Sequence, residues 1–298
     1  MKSRSFTSRL PIDLRLTLRP LQRGRLDPCM RVGSREAIRA TRTPDGPAAV
    51  HIVNRDPNVV VEAWGPGSDW ALDQAPALLG AEDRPDGFEP EHPYLKELNR
   101  SHPGLRMGRS RNVLEFLVPT ILEQKVTGKE ARRSYMRLVK RFGEPAPGPE
   151  TLRVPPSADV LKDLPYWDWH TLGVERRRAD TVRRVCSYAD RLEKIVDLDP
   201  VQAHLKLTTL SGIGNWTASH TTMATMGNSD AVLVGDFHIP HLVGWVLARE
   251  PRGSDERMLQ LLEPYKGHRA RVIRLIEAGD DRPERRAPRV ALRSIAKI

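Results

Sequence analysis

In Leu207-Thr208-Thr209-Leu210-Ser211-Gly212-Ile213-Gly214-Asn215-Trp216-Thr217-Ala218 a short amphipathic helix runs into a Gly-x-Gly hairpin, and a second helix starts at once. Two glycines let the backbone turn sharply and admit a close approach from outside. Both Gly212 and Gly214 are expected to hold conformations that a Cβ would strain, at about 1–2 kcal/mol each. The second helix presents unpaired N–H groups and the positive end of its dipole. Together these features make a phosphate seat that needs no basic side chain. Carbonyls of such a hairpin can also hold a monovalent cation that bridges to the same phosphate. A plain helix–turn–helix corner is the alternative.

Downstream lies Asp230-Ala231-Val232-Leu233-Val234-Gly235-Asp236-Phe237-His238-Ile239-Pro240. An apolar run delivers Asp236 to the start of a helix over 239–249. An aspartate there is ordinarily an N-cap. Beside a phosphate seat it gains a second use, since a fixed carboxylate stabilises an oxocarbenium-like sugar cation.

Upstream, Val113, Leu114, Leu117, Val118, Ile121 and Leu122 recur at helical spacing within 113–125. The same period marks helices over 131–142 and 178–192, with a Pro/Gly-rich loop at 143–156. Before residue 82 the period changes to two. Pro11–Arg19 alternates cleanly, and 36–42, 49–53 and 59–64 alternate more weakly between turn formers. These segments are expected to form an antiparallel sheet, covered by a helix over 70–79. Residues 82–93 hold three prolines, a glycine and five acids, and are read as a linker. The end of the chain carries Arg282, Arg285, Arg286, Arg289, Arg293 and Lys297, a basic extension or a solvated tail of no specific role.

Composition fits this picture. The 298 residues are 39% hydrophobic with net charge +10, an ordinary globular balance with an anionic partner in view. No apolar run approaches the ~20 residues of a membrane span, and none resembles a secretion signal. Two cysteines, Cys29 and Cys186, cannot build a four-cysteine zinc site or an iron–sulfur cluster. Cys186 falls on an apolar helix face and is expected to be a buried thiol. Tyr166-Trp167-Asp168-Trp169-His170 reads either as a set of core anchors or as a stacking surface for bases.

The order Leu-Ser-Gly-Ile-Gly-x-Trp-Thr-Ala, then Asp-Ala-Val, then Asp236 in Val-Gly-Asp-Phe-His resembles the helix-hairpin-helix DNA glycosylase superfamily, in particular its 3-methyladenine DNA glycosylase II type. Ile121-Leu122-Glu123-Gln124-Lys125-Val126-Thr127 and Leu172-Gly173-Val174-Glu175-Arg176-Arg177-Arg178-Ala179 are similar to two further helix-boundary motifs of that type. The resemblance covers most of residues 10–280. It implies an α+β protein: an N-terminal antiparallel sheet domain with its covering helix (1–90), an all-α helix-hairpin-helix domain (91–281) of two helical subdomains with the active-site cleft between them, and a basic tail (282–298).

By the same resemblance Asp236 is the catalytic carboxylate, stabilising the sugar cation and orienting water. Ser211, Gly212, Ile213, Gly214 and Thr217 contact the DNA backbone. Main-chain oxygens of Thr208, Leu210 and Ile213 hold Na+ or K+. Trp216, His220 and Phe237 line the base pocket, and Gln124 and Lys125 form the wedge that fills the gap left by a flipped base. Lys125 stands where an apolar wedge is usual, so a solvated helix-end cation is its alternative. Trp216 stands where bifunctional relatives carry a lysine nucleophile, and an indole forms no Schiff base. Pro264-Tyr265-Lys266-Gly267-His268-Arg269-Ala270, read as part of the last helix, matches the family's pattern only in part.

The expected function is monofunctional release of alkylated purines (3-methyladenine, 7-methylguanine) from duplex DNA in base excision repair. A monomer is expected, cytoplasmic and nucleoid-associated, with no membrane contact, no required cofactor, no iron–sulfur cluster and no zinc. The alternatives are a glycosylase for oxidised, deaminated, bulky or crosslinked bases, and a non-catalytic damage-binding protein.

Overall fold

The computed structural model describes residues 1–283. The basic residues Arg285, Arg286, Arg289, Arg293 and Lys297 of the tail lie outside them. Arg282 folds back on the last helix and donates to the carbonyls of Ile276 and Glu277 at 3.2 and 2.7 Å.

The chain opens with β1 (Lys2–Thr7), α1 (Leu14–Leu18), β2 (Met30–Val32), β3 (Glu36–Thr43), β4 (Gly46–Arg55), β5 (Asn58–Trp64) and α2 (Ser68–Leu78). The strands form one antiparallel sheet in the order β1-β5-β4-β3-β2. Helix α2 packs on β1, β4 and β5. Val59, Val61 and Ala63 point into that contact while their neighbours face out, the period of two that the sequence displays.

The segment Pro11–Arg19 is a correction: it is not a strand. Its alternation also places Leu14 and Leu18 four apart, and both are fully buried. The Asp13 side chain accepts from the Leu16 N–H at 2.9 Å and starts a helix there.

Helices follow: α3 (Pro93–Ser101), α4 (Val113–Leu122), α5 (Gly128–Phe142), a short pairing of β6 (Glu144–Pro145) with β7 (Arg153–Val154), then α6 (Ala158–Asp163), α7 (Tyr166–Thr171), α8 (Arg176–Cys186), α9 (Ala189–Glu193), α10 (Pro200–Thr208), α11 (Asn215–Met226), α12 (Ile239–Ala248), α13 (Asp255–Leu262) and α14 (Arg269–Ala278). The expected helix over 178–192 is broken at Ser187, whose hydroxyl donates back to the Arg183 carbonyl at 3.0 Å. The stretch Pro264–Ala270 is mostly the turn between α13 and α14 rather than helix interior.

Three large apolar cores, with two small clusters beside them, result among the described residues. One joins the sheet to α1 and α2. A second is built from α4–α11 around Trp169, which is fully buried. The third gathers α3, α12, α13 and α14. The aromatic cluster therefore divides, because Trp167 on the same helix is 71% exposed. Cys186 is buried, and desolvation pushes its thiol up to about 12.

Polar contacts knit the cores together. Glu115 on α4 accepts from Arg39 and Thr41 of β3. The segment 82–93 is irregular, yet Asp83 inside it is buried and takes both Arg271 guanidinium nitrogens at 2.7 and 2.8 Å. It is an anchored crossing rather than a free linker. Among the described residues no helix is long and apolar enough to cross a membrane.

Candidate active site

The hairpin is built from both sides. Helix α10 starts on the Asp199 cap and ends at Thr208. The turn then closes through Leu210 N–H to Leu207 O and Ile213 N–H to Leu210 O. Ile213 is buried and pins the turn, while Ser211, Gly212 and Gly214 are exposed. Gly212 has φ +94°, and a Cβ there would stand 2.5 Å from Thr181 Oγ1 on α8. That glycine is required twice, by conformation and by space.

Gly214 departs from expectation. Its φ of −97° and ψ of 179° are ordinary extended backbone, and a Cβ would meet nothing within 4 Å. No strain resides there. Its smallness leaves room in front of the N-terminus of α11. Ala218 N–H is the first in that helix to bond back, to Gly214 O at 3.0 Å. The N–H groups of Asn215, Trp216 and Thr217 therefore have no acceptor within the helix. The Thr217 side chain is buried, so only its N–H is placed to contribute outward.

Gln124 is turned toward this hairpin. Its amide donates to Gly212 O and to Thr217 Oγ1, each at 3.0 Å. Its neighbour Lys125 is exposed at φ +55°, a left-handed conformation costly for a residue with a Cβ. Helix α4 has ended by then, and the reversal lifts Lys125 clear of the helix while Gln124 stays tied down. The two residues expected to act together thus separate into a brace and a projecting side chain.

For a monovalent cation the carbonyls fit only in part. Leu210 O already accepts from Ile213 N–H, and the Arg184 guanidinium donates to the adjacent Ser211 O at 2.7 Å. A cation on Thr208, Leu210 and Ile213 oxygens would share that carbonyl set with a fixed positive charge. Among the described residues no group of three or more His, Cys, Asp or Glu side chains is placed to hold a metal ion.

Asp236 lies between α11 and α12. Its carboxylate accepts three hydrogen bonds. Oδ1 accepts from the N–H groups of His238 and Ile239 at 2.7 and 2.9 Å, so it holds the first N–H of α12 from two residues ahead of the N-cap His238. Oδ2 accepts from the Trp216 indole N–H at 2.9 Å. Three donors fix the carboxylate plane. Behind it, Gly235 N–H is held by the Asp255 carboxylate at 3.0 Å. Trp216 sits on α11 but packs against the third core, so the carboxylate and its indole partner straddle the seam between the two helical cores.

From Trp216 a row of rings leads inward. His220 lies 4.9 Å from Trp216 and 5.9 Å from Phe116, centroid to centroid. Burial lowers its pKa, which keeps the imidazole neutral near pH 7. The Arg23 guanidinium lies 4.6 Å above the Phe116 ring and donates to Glu123 at 3.1 Å. Phe237 does not join this row. It is 73% exposed and stands T-shaped to His238 and His241, at 4.9 and 6.2 Å between centroids. Arg23, Phe116 and Glu123 have no counterpart among the residues picked from the sequence. Phe116 is one apolar residue in an apolar helix, and Arg23 reaches α4 from a loop 100 positions earlier.

No family model matches the chain. Two curated relatives, both described as "Probable bifunctional transcriptional activator/DNA repair enzyme AlkA" from strains of Mycobacterium tuberculosis, are 31% identical over 148 residues. That match spans 48% of this chain and only 29% of each relative's length. Among solved structures, the 3-methyladenine DNA-glycosylase from Archaeoglobus fulgidus superposes with a TM-score of 0.76 at 19% identity, over 92% of this chain and 97% of that one. The apo 8-oxoguanine glycosylase/lyase from Clostridium acetobutylicum gives 0.70 at 14% identity, over 93% and 96%. Sheet, helical cores and hairpin together have the fold of the helix-hairpin-helix DNA glycosylases, the 3-methyladenine enzymes among them.

Proposed function

We propose that this protein is a DNA glycosylase that flips a damaged purine from duplex DNA and hydrolyses its N-glycosidic bond. The observation that carries the proposal is the Asp236 carboxylate, fixed by two backbone N–H groups and the Trp216 indole beside a helix N-terminus open to a phosphate. The N–H groups after Gly214 take the backbone phosphate, with Ser211, Gly212 and Ile213 shaping the turn. Flipping exposes C1′, which is unreachable within the stack. As the base departs, positive charge grows on the sugar, and Asp236 faces it. Water adds to C1′ and yields an abasic site. Lys125 projects beside the hairpin and fills the vacated space with its methylene stem while its ammonium reaches a phosphate.

Alkylated purines are the proposed lesions. N3- or N7-methylation makes the base a cation whose glycosidic bond is already weak. Such a leaving group needs no strong general acid, and apart from His220 and His238 no obvious donor stands near Asp236 among the described residues. The indole face of Trp216 attracts a cationic base by about 0.5–2 kcal/mol. The test is a panel of duplexes, each with one lesion, scored for abasic sites. Release of methylated purines supports the assignment; rapid removal of 8-oxoguanine, hypoxanthine or uracil with methylated purines left in place overturns it.

Three predictions follow from individual residues. Trp216 occupies the position of a lysine nucleophile, so borohydride added during turnover is expected to trap no protein–DNA adduct. Strand cleavage will then need added alkali, and an adduct mapping to Lys125 would refute the purely hydrolytic route. For the hairpin, Gly214→Asp has space for its side chain and is expected to melt like the parent. Its charge would face the phosphate, so binding to damaged and undamaged duplex should fall alike in a titration. Gly212→Ala, by contrast, is expected to lose stability, by about 1–3 kcal/mol through overpacking against Thr181.

A further inference from the structure

The row of rings behind Trp216 ends in two polar atoms that the fold leaves unsatisfied. Arg23 Nη2 and His220 Nδ1 are both buried and have no hydrogen-bond partner. The Arg23 side chain is only 8% exposed, although its other terminal nitrogen is paired with Glu123. Folded proteins seldom leave such polar atoms without a partner unless a ligand or ordered water completes them. Arg23 stands over the Phe116 ring and His220 lies against both Phe116 and Trp216, so both atoms belong to the row that begins at the indole partner of Asp236.

We infer that Arg23, with His220, reads the six-membered edge of the flipped base and selects purine lesions that carry a carbonyl at C6 over those that carry an amino group. This rests on the glycosylase reading. Arg23 can only donate. A carbonyl oxygen at C6, as in 7-methylguanine, accepts from the free Nη2–H. An exocyclic amine, as in 3-methyladenine, would set donor against donor. The Glu123 carboxylate balances the guanidinium, so a cationic base meets no net charge from this pair. The reader comes from the loop between α1 and β2 and the chemistry from the seam of the two helical cores, so the N-terminal segment contributes to substrate choice.

The experiment uses one duplex DNA treated with a methylating agent, which contains both 7-methylguanine and 3-methyladenine. Released bases are separated and quantified for the parent, Arg23→Met, and the charge-balanced double variant Arg23→Met/Glu123→Gln. A site built around a hydrogen bond discriminates strongly when that bond is lost, so 7-methylguanine release is expected to fall about tenfold or more. Release of 3-methyladenine from the same sample should stay within about threefold, which also reports that the variant is folded. Equal loss of both bases in both variants would assign Arg23 a purely structural role and overturn the inference. So would unchanged release of both, or a parent that frees 3-methyladenine but not 7-methylguanine. A parent that frees neither base overturns the glycosylase reading itself.

Discussion

Asp236→Asn is expected to bind duplex DNA as the parent does and to lose base excision by a factor of about 10²–10³ or more, the scale of one well-placed electrostatic group. The substitution is nearly isosteric. An asparagine oxygen still accepts from His238 and Ile239 N–H at the start of α12. Its amide then faces the Trp216 indole donor to donor, so one hydrogen bond is lost, worth about 1 kcal/mol. The fold tolerates that, whereas the chemistry loses a full negative charge beside the sugar. Single-turnover excision on the best lesion measures the effect, with melting and DNA titration as controls. Excision near the parental rate would move the chemistry to another residue.

The second large effect is structural. Asp83→Ala is expected to destabilise the protein by about 3–5 kcal/mol, the cost of leaving a buried charge unpaired. The carboxylate is 5% exposed, its partner Arg271 is 3% exposed, and the pair is bidentate. Asp83 also accepts from Met107 N–H at 3.2 Å, so one side chain ties the crossing segment to α14 and to the chain entering α4. At roughly 2–3 °C per kcal/mol for a chain of this size, Tm should fall by about ten degrees. A double variant that also replaces Arg271 by an apolar residue should recover part of the loss, because no charge is then left alone. A single variant that melts with the parent would mean that water reaches Arg271.

Strands β3, β4 and β5 were legible because half-buried strands alternate, and Val59, Val61 and Ala63 do so strictly. Strand β1 was not, because it pairs at the sheet edge with almost every side chain exposed. A sequence with no buried face carries no period to detect. Pro11–Arg19 misled for the opposite reason: spacing of two includes spacing of four, and only the Asp13 cap separates helix from strand there. In the candidate site, the hairpin turn and the place of Asp236 ahead of α12 were readable because they are local, with fixed offsets. Gly214 was misjudged because glycine serves both strained backbone and open space, and the residue type alone does not say which. Arg23 was out of reach, since its meaning is set by a ring and a carboxylate about a hundred positions away.

The hairpin's outward carbonyls are already engaged, Ser211 O by Arg184 and Gly212 O by Gln124. On the proposed function the seat is thus braced before any duplex arrives, and little ordering entropy would remain to be lost on contact. What it offers is main-chain N–H, which meets every phosphate in the same way. For a protein that works on duplex DNA, such a contact is equally good at each nucleotide, so it permits sliding from one position to the next. Damage would then be located by residence at successive base pairs rather than by recognition from solution. Speed of search and firmness of grip would be set by the same two side-chain braces, one on α8 and one at the end of α4.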